Sequence, residues 1–266
     1  MHLLVNYRSK VKSYPINTHT IMKTLRYIVS KANIKSTLAT AFCLAALATP
    51  ASAQDKVETT IAADFVSQYY WRGQDLGAIS LQPTLGIGYK GLSLTAWGSV
   101  GISQPSDSKE FDLTLAYETG GFHVGITDYW FNSPNERYFS YAAHETSHVF
   151  EGNVGYDFGP VALNWYTNFA GNDGTNNSGK RAYSSYFELT APFKLGGCDW
   201  EANIGAVPFA TDFYSDANGF AVTNVSVKAT KDIKVTPSFS VPVFAQVAAN
   251  PSTEKAYLVV GFTLQP

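Results

Sequence analysis

Residues Val161–Phe169 have the sequence VALNWYTNF, in which large apolar side chains alternate with polar ones. Leu163 and Trp165, for example, flank Asn164. Successive side chains of a β-strand point to opposite faces, so this period of two predicts a strand with one apolar and one polar face. The segment Ala256–Leu264, AYLVVGFTL, follows the same rule.

Similar segments recur along the chain, separated by Gly, Pro, Asn and Asp, the residues that favour turns. No apolar run among them is long enough for a membrane-spanning helix. We predict about twelve strands, at 58–72, 80–90, 92–103, 110–119, 122–131, 148–158, 161–170, 182–192, 198–208, 219–229, 233–245 and 255–265.

The connections between these strands alternate in length. The short ones are Lys90-Gly91, Gly120-Gly121, Gly159-Pro160, Leu195–Gly197 and Thr230–Asp232, and the longest of the others is Asn132–Ser147. Alternation places the long loops at one end of an up-and-down meander, whereas a β-sandwich has no reason to separate them. The predicted fold is therefore all-β, a transmembrane antiparallel up-and-down barrel of about 12 strands.

Aromatic residues end several strands, including Tyr69–Trp71 at the first and Tyr129–Phe131 at the fifth. Such rings are typical of the two interfacial girdles of a membrane barrel, although β proteins are also rich in aromatic residues in general. One residue breaks the pattern, because Asp128 falls in phase with Val124 and Ile126. An outward Asp128 requires a bulge or a position outside the hydrocarbon.

The first 53 residues carry seven of the 19 Lys and Arg residues and none of the 21 acidic ones. From Met22, a basic segment, an apolar run and Ala51–Ala53 follow one another in the order of a cleaved secretory signal peptide. We therefore predict a signal peptide at 1–53, with 1–21 as an over-long start, and an outer-membrane barrel at 54–266. The predicted location is the outer membrane of a Gram-negative bacterium.

The remaining chain has 12 basic and 21 acidic residues, a net charge of −9. This balance argues against a nucleic-acid partner, which would need clustered Lys and Arg to neutralise phosphates. The expected partners are outer-membrane lipid and small solutes or cations. The sequence indicates no cofactor and leaves the oligomeric state open.

If the apolar faces point to lipid, the period of two also assigns charges to the lumen. The predicted lumen-facing charges are Asp64, Arg72, Lys90, Asp112, Glu118, Glu151, Asp157, Glu188, Asp199 and Glu201, with Lys228 as a third candidate base. Rings of Asp and Glu favour cations in other channels. We therefore predict an acidic lumen with a weak preference for cations.

The segment His144-Glu145-Thr146-Ser147-His148 matches the H-E-x-x-H zinc motif, which functions only on a helix. The residues from Val149 onward have the pattern of a strand, so the segment cannot be mid-helix. We interpret both His144 and His148 as solvated loop or rim residues and predict neither a metal site nor a catalytic one. His123, the only His within a predicted strand, has no Gly-x-Ser-x-Gly nucleophile motif beside it.

A resemblance to a known family is carried by the block Val66–Ser99, VSQYYWRGQDLGAISLQPTLGIGYKGLSLTAWGS. Its matching residues are Trp71, Arg72, Gly73, Gln82, Pro83, Gly91, Leu92, Trp97 and Ser99. Together with Gly152–Asn168, GNVGYDFGPVALNWYTN, this block resembles the TorF-type porins of bacterial outer membranes, also labelled Gcw_chp. The resemblance implies a porin, and it supplies no substrate.

Three functions remain open at this point. The first is a small-solute channel, the second is a side-chain-plugged barrel with a structural or surface-interaction role, and the third is an outer-membrane enzyme using the His144–His148 segment. A barrel of about twelve strands lies between eight strands, which side chains can fill, and sixteen, which leave an aqueous channel. Strand number therefore does not separate the first function from the second.

The signal-peptide hypothesis predicts cleavage between Ala53 and Gln54, because Ala51 and Ala53 have the small side chains that a signal peptidase accepts. N-terminal sequencing of the protein extracted from membranes should begin at Gln54. A mature N-terminus before Ser52 would contradict the prediction.

Overall fold

The computed structural model describes residues 56–104, 107, 109–132, 137–142 and 145–266. The predicted signal peptide, residues 1–53, lies outside these described residues, as do Gln54, Asp55 and His144. Among the described residues there is no helix long and apolar enough to cross a membrane.

The described residues form fourteen strands, and every strand pairing is antiparallel. The strands are β1 (Glu58–Val66), β2 (Tyr69–Trp71), β3 (Gln74–Gly77), β4 (Ser80–Tyr89), β5 (Leu92–Gly101), β6 (Lys109–Thr119), β7 (Phe122–Asn132), β8 (His148–Asp157), β9 (Ala162–Gly171), β10 (Ser185–Leu195), β11 (Cys198–Val207), β12 (Ala221–Thr236), β13 (Phe239–Asn250) and β14 (Lys255–Leu264). Twelve of them close a barrel in the order β1-β14-β13-β12-β11-β10-β9-β8-β7-β6-β5-β4. The predicted all-β, up-and-down antiparallel barrel is confirmed.

The two faces of the barrel wall differ as the alternation predicts. Leu163 and Trp165 on β9 are 48% and 41% exposed, whereas Asn168 on the opposite face is fully buried. Large apolar side chains are exposed in the same way on the outer face of the other barrel strands. Buried polar side chains, including Thr114, Thr127 and Asn203, fill the interior. An apolar outside and a polar inside are what a barrel in a bilayer requires.

The tight hairpins depend on residues that tolerate positive φ. Lys90 and Gly91 join β4 to β5 with φ of 51° and 81°, and a two-residue type I′ turn needs positive φ at both positions. Gly120-Gly121 and Gly196-Gly197 meet the same requirement. These turns, together with the connection through Gly159-Pro160, lie where the sequence predicts them.

The prediction of a fifth tight turn at Thr230–Asp232 is wrong. β12 continues through these residues to Thr236, and the chain reverses at Pro237-Ser238. Lys231 and Asp232 pair directly with Val243 and Pro242 of β13, so the ladder is unbroken there. Proline has no N–H and restricts its own φ, which makes residue 237 the better breaking point.

The first predicted strand, 58–72, is also wrong in its second half. β1 ends at Val66, and the chain leaves the barrel wall to form the separate hairpin of β2 and β3. Arg72 and Gly73 at its tip have φ of 48° and 88°, again the geometry of a type I′ turn. Periodicity does not reveal this departure, because Tyr69–Trp71 are three aromatic residues in a row and carry no alternation that assigns them to the wall or to the lumen.

The topology predicts which connections reach the outside of a cell. Both ends of the barrel chain lie at the tight-turn rim, and in outer-membrane barrels the short turns face the periplasm while the long loops face outwards. We therefore expect Ser178→Cys, in the exposed β9–β10 loop, to react with an impermeant maleimide on intact cells. Ser238→Cys, in the β12–β13 turn, should react only after permeabilisation. Both variants are made in a Cys198→Ala background, and the opposite labelling pattern would invert the orientation.

Candidate functional site

The β2–β3 hairpin lies inside the barrel and bridges opposite walls. The Tyr69 hydroxyl donates to Glu110 on β6 at 2.7 Å, and the Tyr70 hydroxyl donates to Asn224 on β12 at 2.9 Å. Trp71, the next residue along the hairpin, is only 7% exposed and belongs to the largest apolar cluster of the described residues. The hairpin is therefore an internal obstruction, which we call the lumen hairpin (residues 69–77).

The tip of the lumen hairpin packs tightly against the far wall. A Cβ added at Gly73 would lie 1.8 Å from the carbonyl oxygen of Thr223, near the start of β12. The carbonyl of Gly73 accepts a hydrogen bond from Asn250 Nδ2, at the end of β13, at 2.9 Å. Glycine is required here both by φ and by space. Because these partners lie at the long-loop ends of their strands, the obstruction is at that end of the barrel.

Arg72 is held by Glu151 of β8, deep in the interior. Two guanidinium nitrogens donate to the two oxygens of Glu151 at 2.5 and 3.1 Å. Glu151 is 1% exposed, and its oxygens also accept hydrogen bonds from the hydroxyls of Tyr129, at 2.8 Å, and Tyr214, at 3.1 Å. A bidentate Arg–carboxylate pair combines charge neutralisation with fixed geometry. Every oxygen of Glu151 is thus satisfied.

Aromatic rings enclose the same guanidinium group. Its central carbon lies 3.8 Å from the ring centre of Tyr166, 4.5 Å from Trp71, 5.0 Å from Tyr186 and 5.8 Å from Tyr214. Cations are attracted to ring faces within about 6 Å, and the attraction is stronger where water is excluded. The set of Tyr129, Glu151, Tyr166, Tyr186 and Tyr214 is called the tyrosine cage below.

The loop that carries Tyr214 is fixed by its neighbour. Asp212 accepts hydrogen bonds from the backbone N–H and hydroxyl of Thr175, at 2.6 and 2.7 Å, and so joins the β11–β12 loop to the β9–β10 loop. Ser184 and Thr211 add a hydroxyl pair at 2.7 Å. Burial raises the pKa of Tyr214 well above its ordinary value, so its hydroxyl stays protonated and can donate to Glu151.

The predicted lumen charges fall into three groups. Asp112, Glu151 and Glu188 are buried in the interior, where Glu188 accepts from the Tyr186 hydroxyl at 3.0 Å. Asp64 and Glu201 are half-buried further along the lumen. The charges exposed towards the tight-turn rim are Lys90, Glu118, Asp157 and Asp199. Of these charges, Arg72 and Glu151 form a direct ion pair.

Several residues of the site escape the sequence analysis. Tyr69, Trp71 and Tyr129 are interior residues, so their assignment to an interfacial girdle is wrong. Tyr166 and Tyr186 lie on the polar, inward faces of β9 and β10. The alternation of apolar and polar residues along these strands could have indicated that both side chains point inwards. Tyr214 lies in a loop whose sequence gives no such signal.

The prediction that His148 is a solvated loop residue is also wrong. It starts β8 and is fully buried on the outer wall among Trp130, Tyr138 and Tyr141. Its Nδ1 lies 2.7 Å from Asp128 Oδ1, and its Nε2 lies 2.6 Å from the carbonyl oxygen of Tyr138. Both ring nitrogens are therefore occupied.

The same contacts accompany the outward Asp128, and the β7 pairings have no register shift there, so no bulge is needed. Its carboxylate is paired with His148 beneath the β7–β8 loop. Burial of the Tyr138 hydroxyl in this cluster raises its pKa to about 12. Among the described residues no group of three or more His, Cys, Asp and Glu side chains could hold a metal ion.

No protein-family model matches the chain, and no curated protein matches it. Among solved structures, the chain is similar to one described as Salmonella typhi OmpF in complex with daunomycin. The identity is 12% and the TM-score is 0.33, over 80% of this chain and 97% of that one. The resemblance to TorF-type porins stays a prediction.

Replacing His148 should destabilise the barrel, because His148→Ala removes two hydrogen bonds and leaves Asp128 without its partner. We expect a loss of about 2–3 kcal/mol in unfolding free energy, seen as a lower thermal midpoint in detergent micelles. His123→Ala, on the inner face near the opposite rim, is the matched control. Equal midpoints for the two variants would contradict a structural role of His148.

Proposed function

We propose that the protein is an outer-membrane channel for small solutes whose lumen is restricted by the lumen hairpin. The exposed apolar outer face supports a membrane location, since the closed wall also pairs each barrel strand with two neighbours. The observation that carries the proposal is the Arg72–Glu151 contact, which fixes the hairpin across the lumen.

A hairpin fixed by one buried ion pair favours a channel that is narrow at rest. Removing one partner of a buried pair leaves an uncompensated charge and costs about 3–5 kcal/mol. The hairpin's other contacts are hydrogen bonds at Tyr69, Tyr70, Gln74 and the Gly73 carbonyl, and the packing of Tyr69 and Trp71 in the apolar cluster. Arg72 is therefore the residue whose loss should release the obstruction most.

The interior charge supports a preference for cations. Glu151 is neutralised by Arg72, while Glu110, Asp112 and Glu188 are also buried around the hairpin. The register adds charges that the sequence analysis omits. Lys194 and Lys234 share the inward face with Lys228, and the additional acids are Glu58, Glu110 and Asp232. The acidic excess predicted from the sequence is therefore maintained.

The alternative is a barrel closed permanently by the lumen hairpin, with a structural or surface-interaction role. The close fit of Gly73 against Thr223 favours it, because the tip has no free space on that side. Catalysis is not part of either proposal, since His148 uses both ring nitrogens for structural contacts.

The ion pair predicts a gain of conductance. In planar bilayers, Arg72→Gly should show at least twice the single-channel conductance or open time of the wild type, because the hairpin loses its central anchor. Glycine suits the positive φ at this position, so the turn itself is preserved. Lys231→Gly, which removes an exposed base on the outward face of β12, is the control. Absence of conductance from both the wild type and Arg72→Gly would favour the permanently closed barrel.

Ion selectivity is a separate prediction. In a KCl gradient at neutral pH, the reversal potential should indicate a modest preference for K⁺. The preference should weaken as the pH falls, because protonation removes carboxylate charge while the lysines stay charged. A reversal potential of the opposite sign at neutral pH would contradict an acidic conduction path.

A further inference from the structure

We infer that the tyrosine cage is a binding site for solutes that carry a guanidinium group, and that Arg72 occupies it as a built-in ligand. This inference rests on the proposed channel, because a free solute must reach the cage through the lumen. It assigns a chemical class of ligand to the conduction path.

The receptor part of this site belongs to the barrel and its loops. Tyr129 comes from β7, Glu151 from β8, Tyr166 from β9 and Tyr186 from β10. Tyr214 comes from the β11–β12 loop, which is fixed to its neighbour through Asp212 and Thr175. The lumen hairpin supplies only Trp71 and the guanidinium group itself. Displacement of the hairpin would therefore leave the four residues of the wall strands in place, while Tyr214 would lose its contacts with Arg72 and Trp71.

The carboxylate of Glu151 has two hydrogen bonds besides those from Arg72. The Tyr129 and Tyr214 hydroxyls each donate to one of its oxygens. These two donors are neutral, so loss of Arg72 would leave the negative charge of Glu151 without its compensating cation. An unpaired buried charge is costly, which favours entry of a cation from the lumen.

The shape of the site selects a planar cation. The two oxygens of Glu151 match the parallel N–H groups of a guanidinium fork, and the ring of Tyr166 lies 3.8 Å from its centre. An ammonium group or a metal ion could use the charge of Glu151 but could not form the same paired hydrogen bonds while stacking on a ring. Guanidinium solutes should therefore bind more tightly than Na⁺ or simple amines.

Arg72 competes with such solutes because it is tethered within the site. A tethered group acts at an effective concentration of the order of millimolar. The wild-type protein should therefore show weak or no binding of a free guanidinium solute, and a protein lacking the Arg72 side chain should show strong binding. The solute and the closed position of the hairpin tip exclude each other.

The test uses methylguanidinium as the probe and the thermal midpoint of the full barrel in detergent as the readout. Methylguanidinium at 1–20 mM should raise the midpoint of Arg72→Gly in a saturable way, by a few degrees, because a ligand bound only to the folded state stabilises it. NaCl at equal ionic strength is the control solute. The wild type should show no saturable shift over this range.

The double variant Arg72→Gly/Glu151→Gln identifies the site, since it keeps the cage volume and removes the carboxylate charge. It should lose the shift. An equal shift in the single and double variants, or none in the single variant, would overturn the inference. If Arg72→Gly does not fold, Arg72→Asn replaces it in both variants, because Asn-Gly also suits a type I′ turn.

Conductance separates this inference from the proposed function. Block of the K⁺ current of Arg72→Gly by millimolar methylguanidinium, relieved in the double variant, would support both. A conducting barrel without the saturable shift would overturn the binding site and leave the channel standing. A barrel that shows the shift but never conducts would support the binding site and overturn the channel.

Discussion

The buried contact between Arg72 and Glu151 is the interaction on which the interior of this barrel depends. Neither charge could stay in so dry a place alone, because desolvation of an isolated ion costs several kcal/mol. Together they join a loop segment to the wall, and the tyrosines around them supply hydrogen bonds and ring faces. The lumen hairpin is thus fixed by this ion pair together with apolar packing, because Tyr69 and Trp71 belong to the buried apolar cluster.

The sequence predicts the barrel wall but not the lumen hairpin, because periodicity measures only the two faces of a strand. Alternation in segments such as Val161–Phe169 reports the two faces of a strand, and it predicts the barrel and most of its tight turns. It does not report whether a strand stays in the wall, so the departure at Val66 is invisible to it. The tip signal, Arg72-Gly73, has the same form as Lys90-Gly91, and both are type I′ turns. Only long-range contacts show that one of these turns points into the lumen.

The outer wall shows a related limit. Asp128 lies in phase with apolar residues, and the sequence offers no direct sign that its partner is His148, twenty positions away. The motif at 144–148 points to a metal because it is recognised by spacing along a helix, whereas β8 begins within it. Because His148 starts a strand, it does not lie on the helix that the zinc motif requires. Secondary structure therefore decides what the motif means.

The wall of the barrel closes between its first and last strands, and this seam is short. β1 pairs with β4 along its whole length but with β14 only over Ala63–Val66 against Gly261–Leu264. The seam continues through Ser67, which exchanges hydrogen bonds with Val260 and directly precedes the lumen hairpin. Closing the wall joins residues almost two hundred positions apart, a contact that is slow to form because of loop-closure entropy. The segment that completes the cylinder also feeds the hairpin into it, so during folding the barrel is sealed and filled by the same stretch of chain.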